Sequence, residues 1–164
     1  MVLLQWYYAR RRPIRIVPLV VGSFHDATLT GRAPPQFDDI GRMIEALRRV
    51  EAQTREPICY LISGDLAHLG PKFRAERPPV DSVELKHSQR QDRALLARLE
   101  DADLAGYFRI LTEEQDARAI CGFPPTYTVL EALQPRRGKV LNYGRCVHPT
   151  GYESVSFASV AFYR

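Results

Sequence analysis

Two hydrophobic rhythms alternate along this chain. Phe37, Ile40, Ile44, Leu47 and Val50 recur every three or four residues, and this spacing predicts an amphipathic helix over residues 36–53. Pro34 and Pro35 suit its first turn. Two short runs rich in β-branched residues flank it, residues 14–21 and 58–62, and both read as strands. Pro18 inside the first run points to an edge or an irregular position. Strand, helix and strand in that order predict a βαβ unit, with parallel strands and a right-handed crossover.

The same reading continues to the end of the chain. Residues 2–9, apolar and aromatic, fit a helix end or a strand, and Pro13 breaks whatever precedes it. Residues 23–35 carry Gly, Thr, Asp and Pro and read as loop. Leu85, Leu95, Leu96 and Leu99 predict a helix over residues 82–99, with His87 on its polar face. Asp103 caps a shorter helix striped by Leu104, Phe108 and Leu111, and the acidic residues 113–116 end it. Pro124 and Pro125 open a further helix that runs to Leu133. Residues 140–147 and 155–162 read as two strands joined by a loop compatible with antiparallel pairing. Ser156, Ala158 and Ala161 are small, which suits a central strand packed under helices.

Composition narrows the class. A chain of 164 residues, 45% hydrophobic and 26% charged, has the size of one globular domain with a real core. Its net charge of +4 rests on arginine, because Lys72, Lys86 and Lys139 are the lysines among 23 basic residues. The Arg10-Arg11-Arg12 triplet lacks an interleaved stacking pattern, so no nucleic-acid partner is expected. Cys59, Cys121 and Cys146 show neither zinc-knuckle nor disulfide-framework spacing, and reduced thiols fit a cytoplasmic location. No apolar run approaches about 18 residues, so no membrane span is expected. Neither a P-loop nor a Gly-x-Gly-x-x-Gly pattern is present.

Candidate chemistry gathers at two places. The run of residues 58–62 stops at Ser63-Gly64-Asp65, and His68 follows. A carboxylate and an imidazole thus stand at the carboxyl end of a predicted core strand, where ligands sit in open α/β sheets. Asp65 and His68 can both bind a metal and can both move protons, which makes them candidate catalytic residues as well. Asp65 as a turn cap with His68 packed beneath it fits the same residues. The second place is Cys121-Gly122, just ahead of the helix that starts near Pro124. A thiol near a helix N-terminus has its thiolate favoured, which suits a metal ligand or a nucleophile. A buried, inert cysteine at a Gly-Pro corner is the other reading.

These segments carry a family resemblance. Ser63-Gly64-Asp65-Leu66-Ala67-His68-Leu69-Gly70 resembles the Ser-Ser-Asp-x-x-His-x-Gly segment of the Memo family, also called AmmeMemoRadiSam system protein B. Ile120-Cys121-Gly122-Phe123-Pro124-Pro125 resembles its Ile-Cys-Gly-x-x-Pro segment, and the runs at residues 16–22 and 154–162 resemble two of its strands. The resemblance implies a fold related to class III extradiol dioxygenases. The expected class is therefore α/β: a mixed, largely parallel sheet flanked by helices (α/β/α), with a C-terminal antiparallel strand pair. It also implies an iron or copper site, with Cys121 as the family's cysteine ligand and Asp65 and His68 lining the same pocket.

This chain departs from that pattern. It resembles about the C-terminal half of the family, and the segments that bring two histidine ligands are not found in it. Gly64 stands where the family has serine, and His25, His87 and His148 lie outside its motifs. The expected ligand set is therefore Cys121, His68 and Asp65, a partial one. A late start of the chain, a second copy, or a partner chain covering an exposed sheet face would account for the rest. Three functions follow: a Memo-like protein with a partial or remnant redox-metal pocket, a metal-dependent dioxygenase completed by another chain, or a non-catalytic interaction module.

Overall fold

The computed structural model describes residues 2–163. In order they form α1 (Val2–Tyr8), α2 (His25–Thr30), a 3-10 turn (Pro34–Gln36), α3 (Asp38–Gln53), β1 (His68–Leu69), α4 (Ser82–Glu100), α5 (Leu104–Glu113), α6 (Phe123–Leu133), β2 (Arg137–Val147) and β3 (Ser154–Tyr163). The helices start where capping chemistry allows. The Asp81 side chain accepts the N–H groups of Val83 and Glu84, both at 2.8 Å, and opens α4. Asp103 accepts from Gly106 at 2.8 Å and opens α5. Pro34 and Pro35 sit in the turn ahead of α3 rather than in its first turn, which instead carries Asp38 and Asp39. Those carboxylates complement the positive end of the helix dipole. The predicted loop at residues 23–35 contains α2, with Ala27 and Thr28 buried.

The largest core cluster is aromatic and aliphatic. Leu95, Leu96 and Leu99 of α4 meet Tyr107, Phe108 and Leu111 of α5 and Phe123, Tyr127 and Leu130 of α6. Phe123 stacks on Phe108 at 6.0 Å between ring centroids and meets Phe24 edge-on at 5.6 Å. Edge and offset geometries of this kind add to simple area burial. Burial also pushes the Tyr127 phenol up to about 12. α3 packs on α6, and Arg48 bonds the Glu131 carbonyl and carboxylate at 2.8 and 2.9 Å.

The sheet has the order β1-β3-β2. β2 and β3 form a long antiparallel pair, with a register shift between Val140 and Asn142. The expected C-terminal strand pair is therefore present, and the small-residue strand β3 is the central one. Its partner on the other edge is short: β1 pairs antiparallel through His68 with Val155 and Leu69 with Ser154. Val140, Tyr143, Ala158, Val160 and Phe162 turn one face of the sheet onto the helical core.

The parallel part of the expected sheet is not formed. Every strand pairing among the described residues is antiparallel. Residues 14–21 and 58–62 join no ladder, so the βαβ unit is absent. Their composition fits strands, but strand propensity chiefly measures packing on a half-buried surface. Val17, Leu19 and Val20 are instead 80%, 52% and 95% exposed. Pro13 and Pro18 also remove backbone donors that a ladder would use. No helix among the described residues is long and apolar enough to cross a membrane.

Candidate metal centre

The backbone brings the two chemical segments into contact. β1 is extended backwards by bonds from Leu66 N–H to the Ser156 carbonyl (2.8 Å) and from Ser156 N–H to the Ala67 carbonyl (3.0 Å). Its other side meets the chain just ahead of α6. There His68 N–H donates to the Arg118 carbonyl at 2.7 Å, and Gly122 N–H donates to the Asp65 carbonyl at 2.9 Å. Segment 65–68 is thereby held between β3 and residues 118–122. Two glycines permit the approach. A Cβ on Gly64 would lie 2.5 Å from the Gly122 Cα, and one on Gly122 would lie 2.6 Å from the Asp65 carbonyl oxygen.

Asp65, His68 and Cys121 converge here. One ligand atom from each lies within 4.8 Å of the other two. Asp65 N–H donates to the Cys121 sulfur at 3.2 Å, and His68 Nε2 is 3.8 Å from Asp65 Oδ2. Donors held about 2.0–2.3 Å from one ion lie roughly 3–4 Å apart, so little adjustment is needed to share one. His68 is also correctly presented. Its Nδ1 lies 2.9 Å from the Ala119 carbonyl and 3.1 Å from the Leu66 carbonyl. Two acceptors at Nδ1 call for a proton there, which leaves the Nε2 lone pair in the neutral ring free to bind a metal. The Phe73 ring meets the imidazole edge-on at 4.8 Å.

A buried polar network fixes the carbonyls around His68. Arg118 and Asp92 form an ion pair with side chains 6% and 0% exposed. Arg118 also grips Glu114 through Nε at 2.9 Å and through a terminal nitrogen at 3.2 Å. Tyr143 donates to Asp92 at 2.8 Å and accepts from Arg145 at 3.1 Å. Burial is the main cause that raises the Tyr143 phenol. Ala119 adopts a left-handed φ of 50°, a conformation that costs a non-glycine residue about 1–2 kcal/mol. The anchored Arg118 and the Asp116 side chain, which accepts Ile120 N–H at 2.9 Å, hold it there.

Asp116 supports a pH prediction. Burial is the largest cause that raises its carboxyl above the usual range. The folded state therefore keeps this proton to a higher pH than the unfolded chain does. The stability it contributes is complete below the ordinary carboxyl pKa and is lost as pH rises through the raised one. Asp116→Asn removes that loss while keeping an acceptor for Ile120. Its melting temperature relative to wild type is expected to rise between acidic and neutral pH. A pH-independent difference would contradict the assignment.

The centre is open on one side. His68 has a side chain 14% exposed, Asp65 is half exposed, and Cys121 is exposed. Asp65 lines a cavity of about 620 Å³, and Cys121 lines another of about 320 Å³ together with Ser23, His25 and Asp116. The remaining histidines stay outside the cluster. His25 and His87 are exposed, and His148 is exposed and engages Thr150 through Nδ1 at 2.8 Å.

A family model described as Memo-like protein matches residues 1–161. The chain belongs to the Memo-like family. A comparison with curated proteins found no match. In this Memo-like chain all three residues singled out from sequence come together. The surrounding layer was not read from sequence: the Leu66 and Ala119 carbonyls, the Gly64–Gly122 contact and the Asp92–Arg118 pair. A signal did exist for Asp92. It falls on the same helical stripe as Ser88, Leu95, Leu96 and Leu99, where a carboxylate needs a buried partner.

The two-glycine contact also makes a prediction. Gly122 has an ordinary φ of −72°, so alanine there is opposed by space alone. Gly122→Ala is expected to push segments 65–68 and 118–122 apart, lowering metal affinity about 10–100-fold and stability by about 1–3 kcal/mol. Unchanged metal binding in a titration would show that the close approach is not needed.

Proposed function

We propose that this Memo-like chain is a metal-binding protein that holds iron or copper through Cys121, His68 and Asp65. The observation that carries the reading is the His68 ring. Its Nδ1 faces backbone carbonyls, and its Nε2 lies 3.8 Å from the Asp65 carboxylate in a cluster that also holds the Cys121 thiol. A mixed sulfur, nitrogen and oxygen set favours a borderline transition metal over magnesium or calcium. When bound, such a metal would supply redox or Lewis-acid chemistry. Of the two candidate catalytic residues, Asp65 with its second carboxylate oxygen would hold or move a proton beside it, whereas both ring nitrogens of His68 would be engaged. Three donors leave coordination positions open. Another polypeptide fills them from the open side of the centre, where Asp65 is half exposed and Cys121 exposed. The isolated chain then binds metal without oxygenase turnover.

The test is anaerobic loading with ferrous iron, cuprous copper or zinc, followed by metal analysis beside Cys121→Ala. About one iron or copper per chain, lost in the variant, is expected. Equal metal in both proteins, or none in either, would overturn the reading. Zinc retained where iron and copper are not would replace the redox assignment with a structural one. Catechol-dependent oxygen uptake by the loaded chain alone would favour the dioxygenase reading.

A further inference from the structure

β3 has one full edge and one nearly empty edge. Its β2 side is paired along the whole strand. On the other side, pairing stops at Ser156, where Leu66 and Ala67 both bond that single residue. Two residues opposite one make a β-bulge. Beyond it the chain leaves β3 at Asp65 to meet Cys121 and Gly122. Backbone groups alternate sides along a strand. Ser156 faces β1 and Tyr163 accepts from Arg136 on the β2 side, so Ala158, Val160 and Phe162 direct their N–H and C=O groups to the empty edge.

Residues 58–62 and that edge line the same 620 Å³ cavity. All of residues 58–62 and all of residues 158–163 are among its lining. From Cys59 to Ile62 the segment alternates: Tyr60 and Ile62 are half-buried, while Cys59 and Leu61 are exposed, and Ile58 ahead of them is exposed as well. Its sequence is strand-prone and carries no charge. Carrying the β1 register through the bulge sets Gly64 opposite Ala158, Ile62 opposite Val160 and Tyr60 opposite Phe162. Opposed residues share a face. That register thus places Tyr60 and Ile62 over the helical core and leaves Leu61, opposite Ala161, on the outer face.

We propose that residues 58–62 are a strap that closes onto the free edge of β3 in this antiparallel register. Closure extends β1 into a full strand, fills the cavity and fixes Asp65 from its N-terminal side. The proposal rests on backbone geometry and does not depend on which metal, if any, Asp65 binds.

Two measurements test it on the full chain. The first is hydrogen exchange of wild-type amides followed residue by residue. Closure predicts that Ala158, Val160 and Phe162 are protected to a degree similar to Phe157, Ser159 and Ala161, which face β2. Alternation, with the first set exchanging at least tenfold faster than the second, would overturn it. The second is oxidative cross-linking in a Cys59→Ser background. Leu61→Cys with Ala161→Cys is expected to form a disulfide at least tenfold faster than Leu61→Cys with Ser159→Cys, which is two residues out of register. Equal rates, or no cross-link in either pair, would overturn the register.

Discussion

Arg118→Leu is expected to cost about 3–5 kcal/mol of folding stability, the usual loss when one partner of a buried ion pair is removed. Asp92 is fully buried, and without Arg118 its carboxylate retains the Tyr143 hydroxyl but no counter-charge. Glu114 also loses both of its bonds to the guanidinium. Arg118→Lys cannot reproduce the two-sided grip, because a single ammonium cannot reach Asp92 and Glu114 with a planar fork. It should recover part of the loss. The double variant Asp92→Leu/Arg118→Leu should be more stable than Arg118→Leu alone, since the stranded charge is gone. Chemical denaturation of wild type, these three variants and Asp92→Leu checks this. Single-variant losses below 1 kcal/mol, or additive effects in the double variant, would contradict the buried pair. Metal binding offers a separate readout: Arg118→Lys should weaken it if the Arg118 and Ala119 carbonyls position His68.

The second large effect falls on the centre itself. Cys121→Ser should lower metal affinity by at least about 100-fold, matching or exceeding the 10–100-fold seen for outer-layer substitutions. It should leave apo-protein stability nearly unchanged, because the Cys121 side chain is exposed. His68→Ala should match the affinity loss but also destabilise the apo chain, since His68 is mostly buried and bonds two carbonyls. Binding titrations beside thermal melts separate the two. Wild-type affinity in Cys121→Ser would remove the thiolate from the ligand set.

The helices were legible because their signals are local. A carboxylate ahead of an apolar stripe placed the start of α5, and a three-to-four spacing placed the buried face of α3, whereas the Asp81 cap that opens α4 was not read. The β2–β3 pair was legible for a related reason: two apolar runs with a short intervening loop must meet antiparallel. The parallel unit was not legible. A strand needs a partner at its edge, and nothing in residues 14–21 or 58–62 says whether one is present. Site residues Asp65, His68 and Cys121 stood out because their types are rare together and lie at element ends. Their environment did not stand out, because backbone carbonyls and a glycine–glycine contact are properties of the fold. Asp92 carried a signal that went unread, a charge on an apolar stripe whose partner, Arg118, lies 26 residues away in sequence.

The central claim is that the three side chains act as one ligand set. X-ray absorption fine structure of the iron-loaded or copper-loaded chain tests it most directly. The account predicts one sulfur neighbour at about 2.3 Å together with nitrogen or oxygen neighbours near 2.0–2.2 Å. It further predicts that the sulfur shell vanishes in Cys121→Ser and that an imidazole scattering pattern vanishes in His68→Ala. A shell of nitrogen and oxygen alone in the wild-type protein would contradict it.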